Sequence, residues 1–60
     1  MTIYKINKNF RVLCLLNWNT FIPQYTIDGT QWFYFLYEDG THITTDSLYG
    51  AMLHQLAVAK

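Results

Sequence analysis

Sixty residues with a formal net charge of zero and a pI near 6.7 make one small domain, 1–60, with no overall field to attract a polyanion. Cys14 is the only cysteine, so no internal disulfide can staple the fold. No apolar run reaches the ~18 residues of a membrane span, and Met1-Thr2-Ile3-Tyr4 lacks a signal-peptide layout. A cytoplasmic protein with no membrane partner is expected.

Thr2–Ile6 alternates and reads as a first strand, punctuated by Asn7-Lys8-Asn9. Phe10–Trp18 is apolar and short, so periodicity alone leaves helix and strand open. As a strand it aligns Phe10, Val12, Cys14, Leu16 and Trp18 on one face. As a helix capped by Asn9 it would be apolar almost all round. The continuous apolar face favours strand. Asn17–Thr20 then reads as a turn. Phe21–Ile27 is the next strand, and Pro23 lacks the N–H a ladder needs, so this strand should lie at an edge or bulge there.

Gln31–Tyr37 is mostly aromatic and stands between Asp28-Gly29 and Asp39-Gly40, two tight-turn signals. It reads as a central strand between two hairpins. Alternation puts Trp32, Tyr34 and Leu36 on one face and Phe33, Phe35 and Tyr37 on the other. Both faces are apolar, and a single helix covers only one. Thr41–Thr44 follows as a strand. The C-terminal segment reads as a helix with Asp46 or Thr45 as N-cap, and with Asp46 and Lys60 at the matching ends of its dipole. Leu48, Met52, Leu56 and Ala59 form its apolar stripe, widened by Tyr49 and Leu53, with Gly50 and His54 opposite. The expected fold is α+β: an antiparallel meander of three or four strands with one C-terminal helix packed on one face.

No catalytic motif is present: no nucleophile has an adjacent base, and there is no HExxH pattern or phosphate-binding glycine loop. His42 and His54 read as solvated side chains, and Asp28, Glu38 and Asp39 as turn residues, so no enzyme is expected. Cys14 reads as a buried small hydrophobe. Cys14, His42 and His54 lack the paired spacing of a zinc site, so neither metal nor cofactor is expected.

Aromatic residues on a sheet can stack on bases, but such sites pair stacking with cations. No Lys or Arg stands between Arg11 and Lys60, which argues against nucleic acid. Lys5, Lys8 and Arg11 precede all four carboxylates, so the chain has a basic beginning and a later acidic part. Two Trp, five Tyr and four Phe exceed what a core this small needs. Aromatic residues are enriched at interface cores and hot spots. Protein binding is therefore favoured, with Trp32 and Tyr34 as contacts. A homodimer and a separate target both remain open.

Asp28-Gly-Thr-Gln-Trp-Phe-Tyr-Phe35, with Asp46 and Leu48-Tyr49-Gly50 further on, resembles the small phage inhibitors of uracil-DNA glycosylase. The similarity lies in the second half and covers less than half of the chain. It implies a dimer, each subunit a three-stranded sheet and a helix. It also implies a host enzyme as partner, held through its DNA-binding face by mimicry of DNA charge and by an aromatic pocket. Tyr49 would line that pocket and Asp46 would stand on its acidic rim. The chain departs from the family in its neutral charge, and in Thr45 where an aromatic residue is expected.

Overall fold

The computed structural model describes residues 1–15 and 19–58. The expectations for Leu16, Asn17, Trp18, Ala59 and Lys60 lie outside these residues. Four strands form one antiparallel sheet in the order β1 (Thr2–Asn7), β2 (Phe10–Cys14), β3 (Phe21–Tyr25) and β4 (Phe33–Tyr34). Two short helical pieces, α1 (Leu48–Met52) and α2 (Gln55–Val58), follow the sheet. This is the α+β meander with a C-terminal helical layer that the patterning implies. It has four strands, where the resemblance implies three.

The core lies between α1 and one face of the sheet. Phe10, Val12 and Ala51 are almost wholly buried, with Tyr4, Ile6, Phe21, Phe35, Leu48 and Met52 packed around them. Alternation explains the choice: Tyr4 pairs with Val12, Val12 with Pro23, and Phe10 with Tyr25, so these residues share one face. Cys14 is buried, as its apolar run implies. Phe10–Cys14 is a strand, which resolves the ambiguity for that part of Phe10–Trp18.

The aromatic stretch is not the central strand. Only Phe33 and Tyr34 pair with β3, and β2 and β3 hold the centre of the sheet. Pro23 supplies the reason. Continuing the register of Gln24 with Tyr34 and Tyr25 with Phe33 would set Phe35 against Pro23, which has no proton to donate. The ladder stops there. The Phe35 carbonyl instead accepts from Ile43 N–H at 2.8 Å, and Tyr37 N–H donates to the Thr41 carbonyl at 2.8 Å. Thr41–Thr45 thus forms no regular strand. It makes isolated bridges, Leu36 with His42 and Thr45 with Phe21.

The helix starts later and breaks earlier than its sequence pattern suggests. Ser47, not Asp46 or Thr45, is the N-cap, its hydroxyl accepting from Gly50 N–H at 3.0 Å. Thr45 is held elsewhere, exchanging both backbone hydrogen bonds with Phe21 at 2.8 Å. Asp46 lies ahead of the cap and outside the first helical turn.

At the other end, His54 N–H bonds to the Ala51 carbonyl, three residues back, at 3.1 Å. The Gly50 carbonyl, which continued α-helix would pair with that N–H, faces His54 Nδ1 at 3.2 Å. The turn at Leu53–His54 rotates the chain, so the expected stripe fails after Met52. Tyr49, Leu53 and Leu56 are exposed, while His54 faces Phe35 at 5.4 Å between ring centroids.

Candidate binding surface

Two Asx turns frame the aromatic stretch. Asp28 Oδ1 accepts from the backbone N–H groups of Thr30 at 2.9 Å and Gln31 at 3.0 Å, and from the Thr26 hydroxyl. These bonds, Gln31 first and Thr30 next, hold the Asp28 carboxyl down at about 2. Asp39 Oδ1 accepts from Thr41 N–H at 3.0 Å and the Thr41 hydroxyl at 2.7 Å, which lower its carboxyl likewise. Gly29 and Gly40 supply the positive φ, 85° and 89°, that these turns require.

Between the turns, one stretch presents its apolar side chains to solvent. Phe33, Tyr34, Leu36 and Tyr37 are all exposed. Phe33 lies against Tyr25 at 5.5 Å between ring centroids, and Phe35 turns inward to Phe10. Tyr34 stacks flat on His42, with centroids 3.9 Å apart and 9° between planes.

The sheet face away from α1 carries the second half of the surface. Lys5 pairs with Arg11, Arg11 with Gln24, and Gln24 with Tyr34, giving one side-chain row across all four strands. Inter-strand spacing makes that row about 14 Å long. Ile3, Leu13 and Ile22 form the adjacent apolar row. Arg11 Nε donates to Gln24 Oε1 at 2.7 Å, and the guanidinium carbon lies 4.2 Å from the centre of the Trp32 ring. Gln24 is buried beneath this contact, with its side-chain oxygen satisfied.

The four expected contact residues therefore divide. Trp32 and Tyr34 belong to the sheet face opposite the helix. Tyr49 is 72% exposed on α1, in the other layer, and Asp46 is exposed in the link between Thr45 and Ser47. Arg11, Lys5, Gln24 and His42 join Trp32 and Tyr34 without having been singled out as contacts. Their signal is register: Arg11 occupies the alternate position between Phe10 and Val12, and strand pairing then selects its neighbours. Sequence distance from Arg11 to Trp32 argues against a cationic aromatic face, and pairing through β3 removes that distance.

Among the described residues no group of three or more His, Cys, Asp or Glu side chains could hold a metal ion. None of the described helices is long and apolar enough to cross a membrane. In comparisons with protein-family models, curated proteins and solved structures, nothing matches the chain.

Proposed function

We propose that this protein is a small non-enzymatic module that binds another protein. The observation that carries this reading is the run Phe33, Tyr34, Leu36 and Tyr37, four large apolar side chains exposed within five residues. Scattered exposed hydrophobes are ordinary, but four along one short edge between polar turns, Tyr34 on one sheet face and Phe33 on the other, match the composition of an interface. Asp28, Glu38 and Asp39 provide that rim and are themselves exposed.

The similarity of Asp28–Phe35 and Leu48–Gly50 to glycosylase inhibitors suggests the class of target: a DNA-processing or defence enzyme of a host cell, met in its cytoplasm by a phage or mobile-element product. Uracil-DNA glycosylase is the named candidate. It must grip the duplex to flip its base, so a protein occupying that grip is an inhibitor. The exposed acids would stand in for phosphates.

Purified uracil-DNA glycosylase and a uracil-containing duplex test the target. Near-stoichiometric protein should stop excision, and Tyr37→Ala should raise the concentration needed at least tenfold, as truncation of an interface anchor does. Undiminished excision at large molar excess removes the glycosylase as target. The wider reading is tested by capture from a bacterial lysate on immobilised protein. A single protein retained by wild type and lost by folded Tyr37→Ala names the target. No retained protein overturns the reading.

A further inference from the structure

The cross-strand row of Lys5, Arg11, Gln24 and Tyr34 has chemistry that protein binding does not require. It brings two cations and a π-surface onto the sheet face away from α1, with Trp32 against Arg11 above the buried Gln24, His42 against Tyr34, and Lys5 and Tyr34 exposed. No Asp or Glu occupies a position in any of the four strands. All four carboxylates lie in the turns and in the link to α1. The chain is neutral overall, yet the charge at the strand positions of this face is entirely positive.

We infer that this face binds single-stranded nucleic acid. Its row of about 14 Å offers what a strand needs: planar side chains that accept any base, and cations for the phosphates between them. One class of RNA-binding module stacks two or three bases in this way on the aromatic side chains of a four-stranded sheet. Tyr34 is the first platform, since one ring face is taken by His42 while the residue remains exposed. Trp32 is the second, its ring held in place by Arg11.

Arg11 uses Nε on Gln24, and among the described residues its terminal nitrogens have no hydrogen-bond partner. They remain for a phosphate oxygen, as does the exposed Lys5 ammonium. A duplex would not serve, because its bases are stacked and paired within. This inference rests on strand register and charge, and is independent of the glycosylase reading.

The test is fluorescence anisotropy of labelled oligodeoxythymidine and oligouridine, titrated with protein at low and at moderate salt. Anisotropy should rise with the single strands, and a duplex should give much weaker binding. Tyr34→Leu keeps an apolar side chain but removes the ring, and should weaken binding about tenfold. Lys5→Gln, at an exposed position, should lower the slope of log K on log salt by about 0.7, the loss of one phosphate contact. Circular dichroism establishes that both variants fold. No rise with either strand at low salt overturns the inference, even if the same preparation retains a protein from lysate. So does binding that Tyr34→Leu and Lys5→Gln leave unchanged. Excision inhibition measured on the same two variants separates the two readings, since the enzyme can be inhibited by a protein that binds no strand.

Discussion

Asp28 shows how much one side chain can organise here. Its carboxylate gathers Thr30 N–H, Gln31 N–H and the Thr26 hydroxyl, and so sets the path from β3 into the aromatic stretch. These donors favour the ionised form and bring its pKa to about 2, below the ordinary 3.8. A folded-state pKa below the unfolded one stabilises the fold fully above the unfolded value. That contribution disappears as pH falls through the folded value. Acid should therefore weaken the fold between about pH 4 and pH 2. Asp28→Asn keeps an oxygen acceptor but cannot titrate, so its acid-unfolding curve should be flatter across that window. Identical slopes for the two proteins would show that Asp28 is not a source of the acid sensitivity. Asp39 repeats the device with Thr41, and its carboxyl is lowered in the same direction.

At the scale of elements, turns and interruptions decide where side chains go. Pro23 ends the β3–β4 ladder after two pairs, and that early ending frees Phe35 to pair with Ile43 and to turn into the core. The Asp39-Gly40 turn then returns the chain so that His42 reaches Tyr34. Gly40 has φ of 89°, and an added Cβ would meet no atom within 4 Å. Its role is thus backbone conformation and not space. Gly40→Ala should cost about 1 kcal/mol, and Gly40→Asn less, because asparagine tolerates the left-handed region. Thermal unfolding of both variants checks the order. An equal loss in both would point to some other role for Gly40.

The helical layer follows the same logic with weaker elements. Five and four residues are too few to be stable by themselves, and α1 persists through burial of Ala51 and the Ser47 cap. Ser47→Ala should destabilise the protein by about 1 kcal/mol. Chemical denaturation reads that loss, and an unchanged midpoint would show the cap to be dispensable.

At the scale of the whole molecule, the described residues form a small core and leave much apolar surface exposed. Phe10, Val12 and Ala51 form the buried cluster, while Ile3, Leu36, Tyr37, Tyr49, Leu53 and Leu56 are all exposed. Domains of this size bury roughly 60% of their unfolded surface and stand close to the limit of independent stability. Self-association as a homodimer, which the sequence leaves open beside a separate target, would cover part of that surface. Mass action makes the consequence measurable: the melting temperature of a dimer rises with protein concentration. A midpoint that stays constant over a hundredfold dilution, together with a monomer mass in sedimentation, would remove the homodimer.

Much of the fold was legible in local chemistry. Alternation in Thr2–Ile6, the apolar face of Phe10–Cys14 and the two Asp-Gly turns pointed to an antiparallel meander, because strand period and positive φ are properties of a few adjacent residues. The same local logic placed Cys14 in the interior and a C-terminal helix after the sheet. Other features depended on partners distant in sequence. Gln31–Tyr37 has every property of a central strand, and only its register against Pro23 reduces it to a two-residue edge. Thr45 could cap a helix, but Phe21 binds its backbone and leaves the cap to Ser47. Above all, Arg11 and Trp32 are remote in sequence and meet because β3 lies between β2, which holds Arg11, and β4, which Trp32 immediately precedes. Sequence by itself thus determined the fold class and the first three strands, but not the extent of the aromatic strand, the state of Thr41–Thr44 or the break in the helix. Tertiary pairing decided which charges and aromatic rings those elements hold together, since a contact across a sheet is set by register and not by distance along the chain.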